Sequence, residues 1–175
     1  GASEEVKKSK KLSMQAFMPK DIQAKKIAVL VHDDINEQNL GAIQKWAITE
    51  KAIVHILTPM PASVKAVSGA QIQSDGMQKA EPSIGYDAVI VADGNNYNQV
   101  IKDGVTKHYV TEAYKHLKPI VFLGDKSQLL KDLQLPEDKG TLIADDFESI
   151  ATEFKQLLIE HRIWAREENA ESIPA

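Results

Sequence analysis

Five short apolar runs recur along this chain: residues 27–31 (IAVLV), 53–57 (IVHIL), 88–92 (AVIVA), 119–123 (PIVFL) and 141–144 (TLIA). Each has the length of a strand, and most lack the polar alternation of a strand with one wet face. Such runs need burial on both sides, which a parallel sheet between two helical layers supplies. Helical spacing fills the gaps. Leu40, Ile43, Trp46 or Ala47, and Ala52 recur after the first run, and residues 97–117 read as helical with a break near Gly104. Leu129, Leu130 and Leu133 mark a short helix. Phe147, Ile150, Phe154, Leu157, Leu158, His161 and Trp164 form a final stripe at steps of three and four. Asp145 with Glu148 gives that last helix an acid-rich first turn and a capping arrangement.

Strands alternating with helices predict right-handed crossovers and a three-layer, flavodoxin-like α/β domain. The expected sheet is mostly parallel and five-stranded, in the order 2-1-3-4-5. Residues 62–86 break the rhythm with β-prone pieces at 64–67 and 71–73, punctuated by Gly69, Gly76, Pro82 and Gly85. They predict a small β excursion between strands two and three.

A length of 175 residues fits one domain. Residues 1–24 differ from the rest, carrying Lys7, Lys8, Lys10, Lys11 and Lys20 with few large apolar side chains. They read as a linker or tail, with Gly1 a residue left by cloning, and residues 25–175 as the single folded domain. A leading linker suggests a piece of a longer polypeptide. Four clustered lysines without interleaved aromatics are a weak basis for a nucleic-acid arm. The formal charge of −4 gives no global attraction to nucleic acid or anionic lipid. No apolar run approaches the ~20 residues that span a bilayer, and no secretion signal is evident, so a cytoplasmic protein is expected.

In such sheets, ligands bind beyond the carboxyl ends of the strands. Those ends carry His32-Asp33-Asp34, Asp93-Gly94-Asn95-Asn96, Gly124-Asp125-Lys126 and Asp145-Asp146. The first loop has two carboxylates and no glycine, so it repels phosphate, and no flavin or nucleotide cofactor is expected. Asp33, Asp34 and Asp93 are similar to the acidic cluster of a response-regulator receiver. That chemistry needs a lysine after the fifth strand, where Asp145 and Asp146 stand. The strand-end carboxylates therefore read as solvated loop residues or helix caps. The five histidines show no metal-binding spacing, His32 beside Asp33 does not make a site, and His161 reads as a core or interface histidine. Cysteine is absent, which removes disulfides, thiolate metal sites and any cysteine nucleophile. The turn after Leu123 has the topology of a nucleophile elbow, but its apex, Gly124, has no side chain. No catalytic, cofactor-binding or metal residue is expected in this chain.

Several stretches together resemble one family: Asp87-Ala-Val-Ile-Val with Gly94-Asn95, Glu112-Ala-Tyr-Lys-His-Leu-Lys-Pro-Ile120, Gly124-Asp125, His161-Arg-Ile-Trp164, and the terminal Ile173-Pro-Ala175. From about Lys25 onward the chain resembles the C-terminal domain of large-subunit haem catalases. The resemblance implies membership of the class I glutamine-amidotransferase superfamily, which includes stress chaperones and small deglycase-like or protease-like proteins. Active members hold a cysteine at the elbow after the fourth strand and an acid near the start of the first helix. Here these positions fall on Gly124 and Asn39, a degenerate elbow. The parent enzymes are homotetramers that decompose hydrogen peroxide at a haem held by a preceding core.

By this resemblance the chain is expected to be a non-catalytic accessory domain that supports stability and tetramer assembly, and that helps shape substrate access. Its partners would be the catalase core of the same polypeptide and neighbouring subunits. Ile163, Trp164 and Ile173 stand on a charged stretch and are candidates for that interface, though Trp164 closing its own core is an equal reading. Two further readings are chaperone-like binding of unfolding proteins and a free-standing amidotransferase-like enzyme. Loss of both reactive groups argues against the latter.

Overall fold

A computed structural model describes residues 21–60, 63–160, 166 and 173, with the backbone alone at 125 and 127. Strand β1 (Lys26–Leu30) is the centre of construction. It pairs in parallel with β2 (Ile53–Thr58) on one side and with β6 (Ala88–Val91) on the other. β7 (Ile120–Leu123) and β8 (Thr141–Ala144) extend the sheet in parallel beyond β6. The anticipated order 2-1-3-4-5 is thus present as β2-β1-β6-β7-β8.

The strand count is corrected from five to six. The excursion forms an antiparallel hairpin of β3 (Ser63–Lys65) and β4 (Gln71–Gln73), and then β5 (Gly76–Met77) joins the edge of β2 in parallel. Asp75 makes this edge, because its carboxylate accepts the Ile56 N–H at 2.7 Å while its own N–H donates to the Ile56 carbonyl. Two residues are too few to show a period in sequence, so side-chain chemistry sets this strand.

Alternate residues of each strand face opposite layers, as the pleat requires. Ile27, Val29, Ile90, Val121 and Leu142 pack into one core with Leu40, Ile43, Phe154 and Leu158 from helices α1 (Glu37–Glu50) and α5 (Ala151–Glu160). Ala28, Leu30, Val89, Val91 and Phe122 pack into the other core. Their partners there are Val100 of α2 (Tyr97–Lys102), Val110 and Tyr114 of α3 (Gly104–Lys115), and Leu129 and Leu130 of α4 (Leu129–Asp132).

The break between α2 and α3 falls at Asp103, whose Oδ1 accepts the N–H groups of Val105 and Thr106 and so starts a new helix. The last stripe divides into a 3₁₀ turn, Phe147–Ser149, and α5. Its cap is Asp146, which accepts the Glu148 N–H at 3.0 Å, and not Asp145. Ala52 likewise lies past the end of α1, where Lys51 takes a left-handed φ of 58° and closes the helix. His161, Ile163 and Trp164 lie outside the described residues. No described helix is long and apolar enough to cross a membrane.

Candidate functional site

The buried run of β7 ends at Gly124, where the backbone turns with φ +63°. A Cβ at this apex would lie 3.0 Å from the Cβ of Asp93, closer than side chains normally approach. Left-handed backbone and close packing both favour glycine here. The elbow retains its sharp strand-to-helix turn, and its apex is pressed against the exit of β6.

Asn39, in the first turn of α1, is 8% exposed and uses both ends of its amide. Its Nδ2 donates to the Asp145 carbonyl at 2.7 Å, and its Oδ1 accepts the Phe147 N–H at 3.0 Å. The residue thus bridges α1 to the loop leaving β8. Only a neutral amide fits this dual role, since an ionised carboxylate cannot donate to a carbonyl. The position expected to be acidic in active relatives is a structural clamp.

Gly124 and Asn39 lie on two adjoining clefts that share Asn36 and Asp93. One, of about 320 Å³, takes in Gly124, Gly94 and Asn95. The other, of about 420 Å³, takes in Asn39, Asp145, Asp146 and Glu148. Asp93 is 8% exposed, and its Oδ1 has no hydrogen-bond partner among the described residues. Burial pushes its carboxyl above the ordinary range, partly offset by Asn39, Asn36 and the Lys126 ammonium. Gly94 has its own reason to be glycine, because a Cβ would meet the Asp34 carbonyl at 2.4 Å. That close approach lets the β6 exit loop bridge to Ile35.

The remaining sequence candidates have other duties. Asp33 accepts the Lys65 N–H at 2.9 Å and Asp34 donates its N–H to the Lys65 carbonyl, so the first loop is fastened to the hairpin. His32 is buried on the opposite side, with Nε2 3.1 Å from Asp103 Oδ2 and 3.0 Å from the Thr106 hydroxyl. Burial lowers its pKa against the opposing pull of Asp103. Ile173 is half-buried against the core containing Tyr114 and Phe122. Among the described residues no group of three or more histidines and carboxylates is arranged to hold a metal.

One residue of structural weight gives no local signal in sequence. Arg166 sits in a charged stretch yet is fully buried. It holds Asp138 through two bonds of 2.6 and 2.9 Å, donates to the Lys118 carbonyl at 2.6 Å, and stacks 4.1 Å over the Tyr114 ring. Its partners are 28 and 48 residues away, which is why local pattern does not reveal them.

Comparisons with known proteins converge. A family model described as the C-terminal domain found in long catalases matches residues 23–168. "Catalase HPII" of Pseudomonas aeruginosa is 35% identical over 170 residues, covering 97% of this chain and 24% of that protein. "Catalase-B" of Dictyostelium discoideum is 31% identical over 172 residues, covering 97% of this chain and 25% of that protein. The chain therefore spans about a quarter of the length of these relatives. Oxidised DJ-1 of Toxoplasma gondii superposes with a TM-score of 0.62 at 17% identity, over 86% of this chain and 96% of that one. At that identity the likeness is one of fold.

Proposed function

The chain belongs to the family of C-terminal domains found in long catalases, and we propose that it acts as a non-catalytic accessory domain supporting the stability and tetramer assembly of a haem catalase. In this reading hydrogen peroxide is decomposed by the preceding core of the parent polypeptide, which also holds the haem. The observation that carries it is the double occupation of the elbow. Gly124 is packed against Asp93, and Asn39 is committed to tying α1 to the β8 exit. A nucleophile and its acid would have to displace structural contacts at both positions.

Two residues near the end of the sequence support this reading: Arg166 and Ile173 are each fastened to the α3 side of the domain. The single test of inertness is an assay of the 175-residue chain with peroxide, a glyoxalase substrate and a peptide substrate. No turnover above a buffer blank is expected, and reproducible turnover abolished by changes at Asp93 would overturn the reading.

A second reading, chaperone-like binding of unfolding proteins, rests on a mainly apolar cleft of about 480 Å³ between the Ser83 turn and α3, where Ile84 is 66% exposed. Suppression of client light scattering by the chain, lost in Ile84→Asp, would favour it. Equal scattering with and without the chain would remove it.

A further inference from the structure

The cleft between the Ser83 turn and α3 has about 480 Å³ of space, with Ile84 and Val105 among its apolar wall residues. Clefts of this size take small organic molecules, held by apolar walls and oriented by a few polar groups. Most polar groups along this one are already engaged. Gln78 is buried, donates through Nε2 to the Leu57 carbonyl at 3.3 Å, and accepts from the Thr106 hydroxyl at 2.5 Å. The Tyr109 hydroxyl donates to the Glu81 carbonyl at 2.7 Å. Glu112 has His116 Nε2 at 3.9 Å and Lys115 Nζ at 4.0 Å.

Ser83 is the exception. It is 4% exposed, and its hydroxyl makes no hydrogen bond among the described residues. The side-chain oxygens of Asp93 and Asn96 that lack partners are sealed inside the protein, whereas the Ser83 hydroxyl is open to the cleft it lines. A nearly buried hydroxyl without a partner is costly, and a ligand oxygen bonded to it would relieve that cost.

From these observations we propose that the cleft binds an uncharged amphiphilic small molecule, with an apolar body and a hydroxyl or carbonyl at one end. The polar end would hydrogen-bond to Ser83 Oγ, and the body would lie against Ile84 and Val105. Apart from the imidazoles of His108 and His116, the lining carries one ammonium, Lys79, and one carboxylate, Glu112. Their charges cancel, so neither sign of ligand is drawn in, and an ionic head would lose hydration against apolar walls. The proposal does not depend on the accessory role. It also differs from capture of unfolding proteins, which would use the exposed rim at Ile84 and not the Ser83 hydroxyl.

Three probes share one body and differ in the polar end: 4-butylbenzyl alcohol, 4-butylbenzylammonium and 4-butylbenzoate. They would be titrated into the 175-residue chain at pH 8, above the range of an ordinary imidazole, and followed by ligand-observed NMR. The alcohol should bind with a Kd of about 1 mM or below, as a ligand of this size allows. Either ion should bind at least about fivefold more weakly. Ser83→Ala should weaken the alcohol by about threefold to tenfold, the worth of one hydrogen bond. Its melting temperature should equal or exceed that of the unaltered chain, because that hydroxyl bonds to nothing in the described fold. Val105→Asp sets a carboxylate on the apolar wall, in the first turn of α3 where an acid suits the helix, and should fold normally and abolish binding.

No saturable binding of the alcohol, tighter binding of either ion, or unchanged affinity in Val105→Asp would each overturn the proposal. Unchanged affinity in Ser83→Ala would overturn it too. If that result came with binding lost in Ile84→Asp, the cleft would instead be a surface for exposed apolar segments.

Discussion

Gly124→Ala isolates the physics of the elbow in a single methyl group. The glycine has φ +63°, and for an L-residue a left-handed backbone costs roughly 1–2 kcal/mol. The added Cβ would also meet Asp93 Cβ at 3.0 Å, and that atom is bonded directly to the backbone just past β6 and cannot swing aside. Overpacking of this kind typically adds 1–3 kcal/mol, so the total loss should be about 2–5 kcal/mol. For a chain of this size each kcal/mol moves the melting temperature by about 2–4 °C, giving a drop on the order of 4–20 °C. Urea unfolding followed by far-ultraviolet circular dichroism measures it directly, and the midpoint should fall with little change in slope.

Gly41→Ala is the matched control. Gly41 lies inside α1 with nothing within 4 Å of an added Cβ, so that change should stabilise by about 0.5–1 kcal/mol. If Gly124→Ala proved neutral or stabilising, the packing explanation for a bare elbow would fail. Gly124→Cys should show the same loss and still be inert in the peptide and glyoxalase assays, because Asn39 supplies no acid.

Three other outcomes can be checked on the same chain. Arg166→Ala leaves Asp138 facing an emptied, buried site, and should cost about 3 kcal/mol in a denaturant titration. Asn39→Asp sets a carboxylate oxygen against the Asp145 carbonyl and should cost about 1–3 kcal/mol at neutral pH, again by denaturant titration. His32 should govern part of the acid sensitivity. Burial lowers its pKa from 6.5, so as pH falls below 6.5 the unfolded chain takes up a proton that the folded chain resists, and stability declines. His32→Gln should flatten that decline between about pH 7 and 5. Asp93 has the opposite sign, because its raised pKa lets the folded form hold a proton that the unfolded form releases, and it offsets the loss at more acid pH.

The layered sheet is legible in the sequence because its signal is periodic. Runs such as 88–92 and 119–123 must be buried on both faces, and five of them alternating with helices make 2-1-3-4-5 the natural expectation among doubly wound orders. The break near Gly104 is also legible, although its cause is the side chain of Asp103. Features that stay hidden depend on contacts distant in sequence or too brief to repeat. β5 is held by the carboxylate of Asp75, and the turn is capped by Asp146, which accepts the Glu148 N–H, while its identical neighbour Asp145 is bound to Asn39 through its main-chain carbonyl. Arg166 reads as surface charge by type and is buried only because Asp138, Lys118 and Tyr114 gather around it.

In the proposed reading of Gly124 and Asn39 as a degenerate elbow, the loss of nucleophile and acid follows from residue type alone. The reasons for those residues do not. Neither the closeness of Gly124 to Asp93 nor the clamp made by Asn39 leaves a local trace in the sequence.

The accessory role is tested most directly by comparing the full-length parent with a form lacking the region equivalent to residues 25–175. Peroxide turnover per bound haem and the fraction of tetramer surviving a heat step would be measured side by side. The proposed role predicts unchanged turnover per haem in whatever enzyme assembles, with a sharply reduced tetramer fraction after heating. Equal assembly and heat resistance in the shortened form would contradict it, as would a shortened form that stays tetrameric yet loses turnover per haem.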